Sequence, residues 1–178
     1  GWWRFEDTGT TDTVTDSSGY GNDGDLTGAS TSDSWGKSGK VGLALEFDGS
    51  GDHADLNLRF SSMPTGGFSV CMWLHSTRTT HSQATSIWGT DGGDEWRIII
   101  GTDGKLSTSI RGTQGSAELR TSNFTANQWH HICSMYNDSQ QEFRLYLNGA
   151  IDNSTSVNIT GFNQGVNQFL GCMASASN

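Results

Sequence analysis

Along most of this chain, apolar and polar residues alternate with a period of two, the pattern of half-buried β-strands. In 41–48, Leu43, Leu45 and Phe47 share one face while Ala44, Glu46 and Asp48 share the other. The polar turn Asp48-Gly49-Ser50-Gly51 follows, and Ala54, Leu56 and Leu58 then alternate with His53, Asp55 and Asn57. That arrangement predicts a hairpin across the turn. Phe68, Val70, Met72 and Leu74 alternate with Ser69, Cys71, Trp73 and His75. Trp96, Ile98 and Ile100 lead through Asp103-Gly104 to Leu106 and Ile110, a second hairpin with a strong turn signal. A strand over 129–136 passes through the polar turn 137–141 to Phe143, Leu145 and Leu147, which alternate with Glu142, Arg144 and Tyr146. Asn148-Gly149 closes that strand with a type I′-compatible turn. No helical stretch separates these segments and no longer repeat recurs. The pattern predicts an all-β, two-sheet antiparallel sandwich.

Composition sharpens this in two ways. The 178 residues suit a single domain over 1–178, with one proline, Pro64, and no Pro-rich or charge-block linker. A hydrophobic fraction of 33% with 24 glycines would fit disorder, but seven tryptophans and eight phenylalanines do not, because disordered chains are poor in aromatics. Charge narrows the partners. Ten Lys and Arg against 19 Asp and Glu give a net charge of −9, which leaves no basic patch for nucleic acid or an anionic membrane surface. No apolar run is long enough to insert in a membrane as a helix. The start at Gly1 reads as a piece of a larger, processed polypeptide.

Candidate chemistry is sparse. Sugar binding uses exposed aromatics as stacking platforms, and Trp2, Tyr20, Trp35, Trp88 and Trp96 are the rings least explained by the core pattern. Trp96 alternates with Ile98 and Ile100 and so reads as core. Trp35 and Trp88, in glycine-flanked segments, remain as ligand-binding candidates. Trp73 and Trp129 read as packing residues that cover a sheet face. Four N-x-[S/T] sequons, at Asn123, Asn137, Asn153 and Asn158, are compatible with a glycosylated surface protein, though a chain this rich in Ser and Thr also produces them by chance. An Asp-rich loop could hold a hard cation such as Ca²⁺; mere solubility explains the acidic balance equally well.

The order of the segments resembles the laminin-G-like jelly roll of the concanavalin A-like lectin/glucanase superfamily. The resemblance is carried by Trp3-Arg4-Phe5-Glu6-Asp7, by the turn Asp16-Ser17-Ser18-Gly19-Tyr20-Gly21-Asn22-Asp23-Gly24, by Gly39-Lys40 with Ala44-Leu45-Glu46-Phe47-Asp48-Gly49, by Phe68-Ser69-Val70 through Trp73, by Trp129-His130-His131-Ile132 and by Leu145-Tyr146-Leu147-Asn148-Gly149. It implies several expectations. His131-Ile132-Cys133-Ser134-Met135-Tyr136 is similar to a pentraxin signature, and pentraxins join the two corresponding strands by a disulfide, here Cys71 to Cys133; two buried free thiols are the alternative. A disulfide would place the chain in an oxidising compartment, extracellular or on a cell or virion surface. Cys172 is left over, for an intermolecular bridge, a partner elsewhere in a longer chain, or a free thiol.

The resemblance also sites calcium at Asp91, Asp94 and Glu95, with the Asp48 to Asp52 turn as the alternative, although Cys172-Met173-Ala174-Ser175 supplies no second acidic half. Glucanases of the superfamily set carboxylates at alternate positions of one strand. Here Glu6, Glu95, Glu118 and Glu142 have no acidic residue two positions away, Glu46 has only Asp48, which opens the polar turn 48–51, and adjacent Asp94 and Glu95 would point to opposite faces. The chain therefore reads as non-catalytic. Relatives usually add a last strand after a segment like Gln168-Phe169-Leu170-Gly171, and its lack here would open an edge. Two functions follow: a recognition or adhesion module for a glycan or an extracellular protein, or a structural subunit of a fibre, sheath or virion appendage that self-assembles through strand completion or Cys172.

Overall fold

The computed structural model describes residues 1–7, 11–28, 34–49, 51–59, 66–77, 84–90, 96–161 and 167–171. Among them are fourteen strands, numbered along the chain, in antiparallel sheets. The larger sheet has eight, in the spatial order β1 (Thr13–Val14), β2 (Gly24–Thr27), β5 (His53–Arg59), β14 (Asn167–Leu170), β7 (Thr85–Thr90), β8 (Trp96–Ile100), β9 (Leu106–Arg111) and β10 (Ser116–Arg120). The smaller has four, β13 (Ala150–Ser156), β12 (Glu142–Leu147), β11 (Trp129–Asn137) and β6 (Phe68–His75). A separate ribbon pairs β3 (Lys37–Ser38) with β4 (Leu43–Ala44).

Three predicted pairings form. Asp103-Gly104 joins β8 to β9, the turn 137–141 joins β11 to β12, and Asn148-Gly149 joins β12 to β13. The last turn has φ of 52° at Asn148 and 86° at Gly149, the left-handed pair that a type I′ turn requires. One prediction needs correction. Leu43 and Ala44 pair with Ser38 and Lys37, not with 53–58, and β5 runs instead between β2 and β14. At the turn, the Asp48 N–H donates to Asp52 Oδ2 (3.0 Å), and the Glu46 N–H donates to the Ser34 carbonyl (2.9 Å). The alternation of 43–47 is real, but the partner strand lies on its N-terminal side.

The inner rows of both sheets meet in one core that includes Val14, Leu26, Leu56, Trp88, Trp96, Ile98, Ile132, Tyr136, Phe143 and Leu145. Four strands cannot cover the inner face of eight at a strand spacing of about 4.8 Å. Outside the two sheets, Trp35 joins this core, and Trp3, Phe5, Leu45 and Phe47 pack against it. Through its centre runs a polar relay. Trp96 Nε1–H donates to Ser134 Oγ (2.9 Å), Ser134 and Thr108 share a hydroxyl contact (2.8 Å), and Thr108 Oγ1–H donates to the Arg97 carbonyl (3.0 Å). All three side chains are buried, and every donor in the relay has an acceptor.

Among the described residues, the sandwich is closed on one side and open on the other. At the β10–β13 side, the Ser122 N–H donates to Asp152 (2.8 Å), Asn153 Nδ2 donates to the Arg120 carbonyl (3.2 Å), and Gln114 bridges to Thr160. At the other side β6 is an edge with no strand beyond it among the described residues. Its inward row of Phe68, Val70, Met72 and Leu74 is only half-buried, whereas the inward row of β11 beside it is fully buried.

The loop from Asp16 to Asp23 is held by one carboxylate. Asp16 accepts from the N–H groups of Trp2 (2.8 Å), Ser18 (2.9 Å) and Asn22 (3.0 Å), from Ser18 Oγ (2.8 Å) and from Asn22 Nδ2 (3.0 Å). Burial pushes its carboxyl up, but the bonds from the Ser18 hydroxyl and the Trp2, Ser18 and Asn22 N–H groups outweigh that and hold it far below the usual carboxylate range.

Two predictions follow from these polar clusters. Ser134→Ala leaves the Trp96 N–H buried without an acceptor and is expected to cost about 1–3 kcal/mol in urea unfolding; in Trp96→Phe the same serine replacement should cost clearly less. Asp16→Asn is expected to lower the melting temperature at neutral pH. A depressed folded-state pKa stabilises above the unfolded carboxyl's value and loses that contribution as pH falls toward the folded one. The wild-type advantage should therefore shrink as pH drops below about 4, which circular dichroism melts across an acid series would measure.

Candidate functional site

The outer face of the four-stranded sheet carries the most distinctive exposed surface. Because Phe68, Val70, Met72 and Leu74 point inward, Ser69, Cys71, Trp73 and His75 point outward on β6. On β11 the buried row His130, Ile132, Ser134 and Tyr136 leaves Trp129, His131, Cys133 and Met135 outside. The register places these rows side by side, with His75 opposite Trp129, Trp73 opposite His131, and Cys71 opposite Cys133. The Trp73 and His131 rings meet edge-on at 5.2 Å, and those of His75 and Trp129 lie 5.3 Å apart. Tyr146 continues the face on β12 opposite Cys133, and Ile151 continues it on β13. Trp73 is 45% exposed and Ile151 55%. An aromatic ladder of this kind on a sheet surface is unusual, since large apolar side chains in a continuous exposed patch mark contact surfaces.

Cys71 and Cys133 form a disulfide, 62 residues apart in sequence, that ties the edge strand β6 to β11. In the loop-entropy account a closure of this length stabilises by about 4 kcal/mol. The bridge sits on the outward face, so the tryptophans in step with it are also outward. This corrects the expectation that Trp73 and Trp129 are packing residues. Alternation alone puts Trp73 in step with Cys71 without deciding which face meets the second sheet.

Two charged groups flank the ladder. The Lys40 ammonium, on the turn between β3 and β4, lies 5.5 Å from the centroid of the Trp73 ring. Arg144, opposite Met135, is ion-paired to Glu142 through a short contact. The Arg144 guanidinium holds the Glu142 carboxyl below its ordinary range, and the same bond from Glu142, with Tyr146 beside it, raises the guanidinium.

The other predicted site residues fall elsewhere. Trp35 and Trp88 are 5% and 2% exposed, and Trp88 packs edge-on against Trp96 at 4.7 Å. Neither ring has a free face for a sugar, so the stacking role assigned to them does not hold: β7 is an inner strand of its sheet, and its alternation turns Trp88 inward. Asp52 is buried with Oδ2 bonded to the Asp48 N–H, and among the described residues no three His, Cys, Asp or Glu side chains gather to hold a metal. Asp91, Asp94, Glu95 and Cys172 lie outside the described residues. Each remaining glutamate is engaged: Glu6 accepts from the Leu43 N–H (3.2 Å), Glu46 pairs with Lys37 (3.5 Å), Glu118 pairs with Arg120 (3.0 Å), and Glu142 pairs with Arg144. Of the sequons, Asn137 closes its own turn through Ser139 and Gln140, and Asn153 is bonded to the Arg120 carbonyl, while Asn123 and Asn158 are exposed.

Residues 48–177 match the laminin-G-type family described as the concanavalin A-like lectin/glucanases superfamily. The match takes in well over half of the chain, and the protein belongs to that superfamily. No curated protein sequence matches it. Solved structures with TM-scores above 0.5 share the fold at low identity. The receptor binding domain of botulinum neurotoxin mosaic serotype C/D is 16% identical with a TM-score of 0.53, over 72% of this chain and 33% of that one. A mutant of HCR/D is 16% identical with a TM-score of 0.57, over 68% and 33%. A heptameric SAP-like pentraxin from Limulus polyphemus is 15% identical with a TM-score of 0.45, over 63% and 55%. The chain thus spans about a third of the length of the first two of these structures.

Proposed function

We propose that this chain is a non-catalytic, extracellular recognition module that binds carbohydrate on the outer face of its four-stranded sheet. The observation that carries the reading is the aromatic ladder of Trp73, His131, Trp129 and His75, presented on a flat and disulfide-tied strand pair. Indole rings held on a rigid sheet offer the apolar face that sugar C–H groups stack on, with imidazole and phenol groups beside them for hydrogen bonds. Membership of a lectin-bearing superfamily supports a binding role, although fold alone does not choose the ligand. The non-catalytic part is supported by the described glutamates, each engaged in an ion pair or backbone bond. The extracellular part is supported by the disulfide.

A second reading is favoured by the open edge of β6. A strand with no neighbour at its edge among the described residues and a half-buried inward row accepts an added strand, which is how a structural subunit could assemble with its neighbours. Cys172, the other assembly element expected from the sequence, lies outside the described residues.

Trp73→Ala removes a half-exposed ring and should leave the fold intact while abolishing glycan binding on an array; retained binding would move the site elsewhere. Light scattering on the same sample separates the two readings, since ordered oligomers that bind no glycan favour the structural subunit. Calcium assistance, in this proposal, rests on Asp91, Asp94 and Glu95. EDTA is expected to lower the melting temperature and Asp91→Asn to abolish that response; identical melts with and without EDTA remove calcium from the reading.

A further inference from the structure

The aromatic ladder acquires a charge preference from the turn beside it. The Gly39 N–H donates to the Gly42 carbonyl (3.0 Å), and Gly42 has a φ of 64°, so Lys40 and Val41 form the tip of the β3–β4 ribbon. Val41 is 78% exposed, and the Lys40 ammonium lies over Trp73. Glu6 accepts from the Leu43 N–H (3.2 Å) and keeps its charge, and Lys40 has no ion-pair partner among the described residues. On the sheet itself, the guanidinium of Arg144 is neutralised by Glu142. His75 and His131 supply no negative charge. Among the described residues, the charged group that meets the Trp73 ring is thus the Lys40 ammonium, in a chain whose net charge is −9.

We propose that Lys40 makes this face selective for acidic saccharides. The inference rests on the glycan-binding reading above. In the free protein the ammonium covers part of the Trp73 ring by a cation–π contact. When a sugar stacks on the indole, the flexible lysine stem moves off the ring while the glycine-flanked tip stays in place, and the ammonium pairs with a carboxylate of the ligand. Elsewhere the acidic surface repels the same ligand, so the lysine decides where an anionic sugar can bind.

Methyl β-D-glucuronide and methyl β-D-glucoside test this, because they differ only in a carboxylate replacing a hydroxymethyl group. Each is titrated into the ¹⁵N-labelled chain while the tryptophan indole signals are followed. The glucuronide should bind about threefold more tightly at low salt, the range of an exposed ion pair, and added NaCl should erase the advantage. Lys40→Met keeps the apolar stem and should bring the two affinities together. If the advantage persists in Lys40→Met, the selectivity proposal fails and the binding face stands. Silence of the Trp73 and Trp129 signals with both sugars overturns face and selectivity together. An acidic peptide that shifts those signals when the glucuronide does not would assign the face to protein ligands and also overturn the proposal.

Discussion

The hydrogen bond from the buried Trp96 indole to Ser134 decides more of this molecule than any other single contact. It crosses the core from the eight-stranded sheet to the four-stranded one, and Thr108 completes it from a neighbouring strand. A buried indole N–H left unpaired is costly, so the relay favours one alignment of the two sheets. With Ser134 inside, the period of two requires His130, Ile132 and Tyr136 inside as well. Trp129, His131, Cys133 and Met135 must then be outside. The exposed ladder, the surface disulfide and the proposed binding face are all consequences of which row of β11 meets the core.

The same sandwich is asymmetric at its two sides. Side-chain bonds at 120–122 and 152–153 close one, and β6 leaves the other open. The open side is where the chain places its most specialised features: the cross-strand disulfide, the two tryptophan–histidine pairs and the lysine-tipped ribbon. The bridge fixes β6 to β11, giving the edge strand the rigidity that a stacking platform needs. Recognition and strand addition would use the same part of the molecule through different groups, side chains on the outer face in one case and backbone at the edge in the other.

Much of the fold was legible because its information is local. The alternation in 68–75, 96–110 and 129–147 marked strands that exist, and Asp103-Gly104 and Asn148-Gly149 marked turns that exist. The loop at Asp16 was legible for the same reason, since most of its acceptor's partners lie within six residues. The hairpin expected of 43–47 with 53–58 failed because alternation names the residues that share a face and says nothing about the partner strand. The site was misread for a related reason. Trp88 looked like a loop aromatic and is core, whereas Trp73 looked like packing and is surface.

From residue order alone came the strands, their two-faced character, the superfamily resemblance and the grouping of Cys71 with Trp73. Only the assembled sandwich decided which of the two faces was buried. A period of two is symmetric: exchanging inside for outside leaves the pattern unchanged until a second sheet breaks the tie. Here that sheet supplies Trp96, whose indole reaches Ser134 and turns the neighbouring tryptophan on β11 toward solvent.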